Sequence, residues 1–173
     1  MTMTIGNWAL EQWEVLDSGW DRLMAVVERL GPNGLDRPLT RSWTVKEMLA
    51  HLAFWEETSL PVIETLYRGG PELPVAQWYG GEDLELAPGA PWPDADHHNA
   101  REARWARARS PAAVLERLNR ARRQLKSVIA TVTDEESRGP IGTQWSGAAI
   151  CRHVDHHLDQ IEGLLAGAAE PTS

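Results

Sequence analysis

Apolar residues in this chain recur at intervals of three and four, the spacing that places side chains along one face of an α-helix. The first such run consists of Trp13, Leu16, Trp20, Leu23, Val27 and Leu30. A Gly-Pro-Asn-Gly segment at residues 31–34 follows it and should end the helix. The alternation of apolar and polar residues that indicates strands is nearly absent. The sequence therefore predicts an all-α fold.

Capping patterns locate the other helices. The predicted helices cover residues 7–30, 44–67, 94–132 with a break near residue 109, and 146–166. Thr44 and Glu47 have the spacing of a capping box, and Pro61 should bend or divide the helix that they begin. Ser110, followed by a proline, has the pattern of an N-cap, and Ser146 can cap the last helix.

The segment between Gly69 and Pro93 is rich in glycine, proline and acidic residues, and it also contains Trp78, Tyr79 and Trp92. Because a linker between domains seldom carries three large aromatic residues, we interpret it as a crossover within one domain covering residues 1–173. The crossover allows the second and third long helices to run in the same direction. Its aromatic residues fit either core packing, which we favour, or a lid over a pocket.

Charge is unevenly distributed, which bears on nucleic-acid binding. The chain has a formal net charge of −8, but residues 101–126 carry nine of its seventeen basic residues and two acidic ones, a net +7. The remainder, at −15, would repel a polyanion. Arg101, Arg104 and Arg107 recur at intervals of three, which favours a solvated helix face over a phosphate-binding patch.

The composition also bears on membrane binding and on the cellular location of the protein. No segment approaches the roughly 20 apolar residues of a membrane helix, and the N-terminus lacks the pattern of a signal peptide. The single Cys151 cannot form an internal disulfide bond. We therefore expect a cytoplasmic protein that binds neither membrane nor nucleic acid. An acidic helical protein of this kind is compatible with a homodimer.

One phrase occurs twice, about one hundred residues apart. The two copies are Ser42-Trp43-Thr44 with His51, and Gln144-Trp145-Ser146 with His153. In both, a capping hydroxyl follows the tryptophan, and a histidine lies eight positions after it. The second copy adds His157 one helical turn further on, where the first copy has Trp55. If the two helices face each other, three imidazoles meet at one point.

Angular spacing supports this convergence. At about 100° per residue, His157 lies roughly 40° from His153, and both point into the apolar stripe of their helix. A single histidine on such a stripe is more often a hydrogen-bonded core residue. Three imidazoles in one core, however, would lack partners for their ring nitrogens without an ion. We therefore favour a metal site formed by His51, His153 and His157.

Several neighbours can assist this site. Thr58 and Gln160 each lie seven residues after the first histidine of their copy, and can orient a ligand; a surface threonine and an amide tying two helices together are equally good interpretations. Trp55 can line the open side. His97 and His98 border the crossover, and neither is favoured as a further ligand. Cys151 points away from His153.

The residues around these histidines resemble a known family. Trp43-Thr44 leading to Ala50-His51-Leu52, together with the run from His153 to Ile161, is similar to the DinB/YfiT-like metalloenzyme superfamily. This superfamily includes the metal-binding domain of mycothiol-dependent maleylpyruvate isomerase and the bacillithiol S-transferases. The resemblance implies an up-down-down-up four-helix bundle with one metal ligand on the second helix and two on the fourth. The matching positions here are His51, His153 and His157.

Three neutral imidazoles leave at least one coordination position open, as in a catalytic rather than a structural site. Such ligands suit zinc or nickel, which we favour, and also iron or copper. The first functional hypothesis is a metal-dependent enzyme that acts on a small electrophilic molecule, with a low-molecular-weight thiol as cosubstrate, by S-transfer or isomerisation. A hydrolase is a variant of it. The second is a non-catalytic protein that binds or sequesters a small molecule.

Overall fold

The computed structural model describes residues 5–64, residue 68 and residues 95–167. The helices are α1 (Asn7–Gly34), α2 (Val45–Val62), α3 (Ala95–Arg107), α4 (Pro111–Ala130), α5 (Pro140–Gln144) and α6 (Gly147–Gly167), with a short 3₁₀ helix at Glu136–Arg138. Across these described ranges the only β-type pairing is an isolated bridge between Pro38 and Thr44. The predicted all-α fold is therefore confirmed. None of the described helices has the length and apolarity that crossing a membrane requires.

The helices begin where the capping residues predicted. Thr44 and Glu47 form both hydrogen bonds of a capping box at the start of α2. The Ser110 hydroxyl accepts the amide hydrogen of Ala113 at the start of α4, and the Ser146 hydroxyl accepts that of Ala148 in α6. These side chains satisfy amide groups that a helix N-terminus otherwise leaves without partners.

The helix ends agree less closely with the predictions. Gly31 adopts φ 62° and ψ 174°, a conformation that favours glycine, and it interrupts α1 before one further turn. Pro61 lies within α2, which ends at Val62. The predicted end near residue 67 and the crossover aromatic residues lie outside the described residues. The short helix α5 begins at Pro140, in a stretch between residues 132 and 146 for which no helix is predicted.

Two hydrophobic clusters hold the long helices together. Helix α2 packs mainly against α4 and α3, whereas α1 packs mainly against α6. The larger cluster includes Leu23, Met48, Leu118 and Leu158, which belong to four different helices. The smaller cluster lies around Leu16, Leu125, Ile129, Ile141 and Trp145. Both copies of the repeated phrase thus belong to helices that contribute to the core.

Ion pairs connect the basic segment to acidic residues of other helices. Arg122 of α4 is buried and pairs with buried Glu56 of α2, with 2.5 Å between Nη2 and Oε1. Arg117 pairs with Glu57 on α2, at 2.6 Å. Arg104 and Arg107 are exposed, as predicted, and Arg107 pairs with Glu47, whereas Arg101 is partly buried and pairs with Glu102. Much of the positive charge therefore lies against carboxylates within the protein.

Further polar contacts show which parts of the helices are neighbours. Lys46 Nζ donates to the carbonyl of Arg109 at the N-terminal ends of α2 and α4, 3.1 Å away. Gln12 accepts the amide hydrogen of Gly147 near the starts of α1 and α6, at 3.0 Å. Further along the same two helices, Arg22 pairs with Glu162. These contacts bring α2 and α6, which carry the histidines, into one assembly with α1 and α4.

Candidate metal centre

The three histidines of the repeated phrase meet between α2 and α6. His51 Nε2 lies 3.0 Å from His153 Nε2, and His157 Nε2 lies 3.2 Å from the same atom. One ligand atom from each side chain can be chosen so that all three lie within 4.8 Å of one another. His51 is buried, while His153 and His157 are partly buried. The structure thus brings together the residues that the sequence proposed as metal ligands.

Hydrogen bonds at the other ring nitrogens orient two of the imidazoles. His51 Nδ1 lies 2.9 Å from Asn99 Oδ1, and His157 Nδ1 lies 3.1 Å from Gln160 Oε1. Each amide oxygen can accept a hydrogen bond, so both contacts favour the neutral tautomer that carries its proton on Nδ1. The lone pair of Nε2 then points towards the centre of the cluster, as metal ligation requires.

The donor set fits a divalent ion. Zinc held by imidazoles at about 2.0–2.1 Å in a tetrahedral arrangement separates its ligand nitrogens by about 3.3 Å. The separations of 3.0 and 3.2 Å between His153 Nε2 and its two neighbours are close to this value. Nε2 lone pairs that face one another at this distance repel unless a cation or a proton lies between them. The cluster is therefore compatible with a divalent metal site.

The surroundings favour the neutral form of the imidazoles, which is the form that binds metal. Burial, together with the nearby His153 and His157, lowers the pKa of His51 to about 3, although its contact with Asn99 raises it. Burial, with His157 and His156, lowers the pKa of His153 to about 4. The pKa of His157 is also lowered by burial, although its contact with Gln160 raises it.

Tryptophans lie on two sides of the cluster. The ring centroid of Trp43 is 4.9 Å from that of His51 and 6.4 Å from that of His157, and with His157 the rings are stacked. The indole N–H of Trp55 lies 3.2 Å from His51 Nδ1 and competes with Asn99 for that nitrogen, because Nδ1 accepts from Trp55 only when it carries no proton. The Trp145 of the second copy instead packs beside Trp8. The two tryptophans of the repeat therefore have different environments.

The predicted helpers have distinct positions. Gln160 contacts His157, so it is placed to orient that ring. Thr58 is buried and donates its hydroxyl hydrogen to the carbonyl of Trp55, 2.8 Å away. Trp55 and Thr58 line an open pocket beside His153. Glu47, which points to the same side of α2, is engaged by the capping box and by Arg107.

Other side chains lie outside the three-histidine cluster or were not predicted. His97 is exposed and His98 is buried. Neither of them belongs to the cluster, and Cys151 does not belong to it either. Asn99, which contacts His51, was missed by sequence reasoning. The only available signal was its place one residue after His97 and His98, the pair that borders the crossover.

These features define a helical protein with a three-histidine centre that can hold a divalent metal ion. The family model of the DinB superfamily matches residues 16–161, a range that contains all three histidines, and the chain belongs to this superfamily. The resemblance seen in the sequence is thereby confirmed. Comparison with curated proteins and with solved structures finds no match.

Proposed function

We propose that this protein is a metal-dependent enzyme that acts on a small electrophilic molecule, with a low-molecular-weight thiol as cosubstrate, by S-transfer or isomerisation. The observation that carries the proposal is the convergence of three Nε2 atoms within a partly buried cluster that borders an open pocket. Three protein ligands leave room for a further ligand, as in catalytic sites.

We further propose that α1, α2, α4 and α6 form an up-down-down-up four-helix bundle with the crossover between α2 and α3. Two contacts support the same direction for α2 and α4: Lys46 lies near Arg109, and Glu56 lies near Arg122. Contacts of His51 with His153, and a pocket shared by Ser59 and Ala149, support opposite directions for α2 and α6. In this arrangement both histidine-bearing helices face the same interior.

In this function His51, His153 and His157 hold the ion, and zinc or nickel is favoured by the imidazole ligands. A bound ion would supply Lewis acidity and would stabilise a thiolate or polarise a carbonyl group. Asn99 and Gln160 keep two imidazoles in the tautomer that directs Nε2 inwards. Thr58 lies in the pocket wall, where its oxygen can accept a hydrogen bond from a ligand.

One observation favours a second candidate function, a protein that binds or sequesters a small molecule without transforming it. Glu47, the carboxylate on the same side of α2 as His51, bonds to the Thr44 amide and to Arg107. A group so engaged is a poor general base, since its lone pairs already have partners. Measured turnover distinguishes this candidate from the enzyme.

Metal analysis of the purified protein tests the premise of both candidates. We expect one divalent ion per chain in the wild type and loss of that ion in His153→Ala. His156→Ala is the matched control, because His156 is exposed and lies outside the cluster. Absence of stoichiometric metal after reconstitution, or an unchanged content in His153→Ala, would overturn the metal centre.

Activity tests then separate the enzyme from the binding protein. The metal-loaded protein is incubated with mycothiol, bacillithiol, glutathione or coenzyme A and a panel of electrophiles, and products are identified by mass spectrometry. Adduct formation or isomerisation that requires both the metal and His153 supports the enzyme. Ligand retention without turnover supports the binding protein.

A further inference from the structure

The pocket beside His153 has a composition that indicates what it binds. It is an open cavity of about 320 Å³ between α2 and α6, lined by Trp55, Thr58, Ser59, Ala149, Ile150 and His153. This volume is at the lower end of the range for small-molecule sites. His153 belongs both to the pocket and to the three-histidine cluster, so the pocket borders the cluster.

The polar groups of the pocket wall offer hydrogen-bond acceptors rather than charge. The hydroxyls of Thr58 and Ser59 both donate to the Trp55 carbonyl, at 2.8 and 3.2 Å. Their hydrogens are therefore engaged, and their oxygens retain lone pairs. The remaining lining residues are apolar except for His153, and no acidic or basic side chain belongs to the described lining.

A second cavity, lined in part by Trp43, differs in charge. It is lined by residues that include Arg41 and Arg107, together with Glu47. An anionic group would find cations there, whereas no lining side chain of the pocket beside His153 carries a fixed positive charge. The two cavities therefore discriminate between charged and uncharged parts of a molecule.

We propose that the pocket between α2 and α6 binds the uncharged, apolar part of a small substrate whose reactive atom lies at the three-histidine centre. This deepens the proposed function and rests on it for the position of the reactive atom. Ala149 lies four residues before His153 on α6, a rise of about 6 Å along the helix. A tail of about four to six carbons spans that distance, and Ala149 and Ile150 limit its length.

The pocket is tested first without metal. Protein labelled in its alanine methyl groups is treated with chelator and titrated with 1-hexanol, and NMR spectra follow the methyl of Ala149. We expect a saturable shift at Ala149 and none at Ala166, an exposed alanine near the other end of α6. An unmoved Ala149 methyl overturns the proposal, whatever the metal content of the protein.

The connection to the centre is tested with cobalt(II) as a coloured substitute ion and with ethanethiol, butanethiol and hexanethiol as probes. Each methylene buried in the pocket should tighten binding by up to about fourfold. Ala149→Leu should remove this dependence on chain length while ethanethiol still changes the cobalt spectrum. Ala166→Leu, the matched control, should behave like the wild type.

Two results would overturn the proposal: affinity independent of chain length in the wild type, or the same dependence in Ala149→Leu as in the wild type. Failure of the proposed function has a different signature. In that case the Ala149 methyl still responds to 1-hexanol, but the protein gives no cobalt spectrum that depends on His153.

Discussion

Asn99 is the residue through which α3 contacts the histidine cluster. Its Oδ1 lies 2.9 Å from Nδ1 of His51, and so it holds the ring in the orientation that directs Nε2 towards His153. Partners of this kind raise the basicity of a ligand and fix its tautomer. The amide is therefore expected to influence metal affinity although it does not reach the centre itself.

We predict that Asn99→Ala weakens metal binding by about 10- to 100-fold, because His51 loses the acceptor for its Nδ1–H. Competition with a chromophoric chelator measures the affinity. Asn119→Ala is the control, since Asn119 is also partly buried but bonds to the Leu115 carbonyl in α4. Equal affinities for Asn99→Ala and the wild type would contradict a positioning role.

The imidazoles also make the stability of the metal-free protein depend on pH. In the unfolded chain they titrate near 6.5, whereas in the folded protein the pKa is lowered to about 3 for His51 and about 4 for His153. Between the folded-state pKa values and pH 6.5, the unfolded state therefore binds more protons than the folded state does. Their contribution to stability is complete above pH 6.5 and is lost as the pH falls towards the folded-state pKa values.

We predict that the free energy of unfolding of the chelator-treated protein decreases from pH 6.5 to pH 5, a range above the ordinary titration of carboxylates. Urea unfolding at each pH measures it. His153→Leu should show a smaller decrease, because it removes one group that gains a proton in the unfolded chain and stays neutral in the folded protein over this range. Equal slopes for the two proteins would show that other groups cause the dependence.

At the scale of the helices, the ion pair between Glu56 and Arg122 joins α2 to α4. Both side chains are buried, and Arg122 also donates to the Leu16 carbonyl of α1, so three helices meet at one guanidinium. Burial raises the pKa of the Glu56 carboxyl, although Arg122 acts in the opposite direction. Removal of one partner would leave the other charge buried without compensation.

We predict that Arg122→Leu lowers the free energy of unfolding by about 3–5 kcal/mol, and that Glu56→Leu combined with Arg122→Leu recovers part of this loss. The control is Arg22→Ala, which breaks an exposed cluster between α1 and α6 and should cost about 1 kcal/mol or less. Urea unfolding distinguishes these outcomes. A double variant no more stable than Arg122→Leu would argue against an uncompensated charge as the cause.

The starts of α2, α4 and α6 could be predicted because their signals are local. Thr44, Ser110 and Ser146 each cap amides within three residues, and periodic apolar residues identify the faces that become the core. The contact of Asn99 with His51 joins residues 48 positions apart and follows no period, so no local pattern predicts it. The pairing of Glu56 with Arg122 was hidden for the same reason.

The three-histidine cluster was predictable because the repeated phrase places equivalent residues on two helices. That inference needed one further condition, that α2 and α6 face each other, and the packing of the long helices supplies it. Trp43 and Trp145 show that the repeat does not predict the surroundings of every residue in it. Both tryptophans precede a histidine by eight residues. Trp43 nevertheless packs against His51 at the centre, whereas Trp145 belongs to the second hydrophobic cluster.

An ion held between α2 and α6 would bind the folded state and not the unfolded chain, so it should stabilise the protein as a unit. At a free concentration one hundred times the dissociation constant, the gain is about 2.7 kcal/mol. For a chain of this length, each kcal/mol raises the unfolding temperature by about 2–4 °C. We therefore predict that chelation lowers the midpoint by about 5–10 °C, measured by calorimetry, and that zinc restores it.

His156→Ala should retain this response and His153→Ala should lose it. A zinc-loaded wild type whose midpoint is unaffected by chelation would contradict a centre that links the two helices.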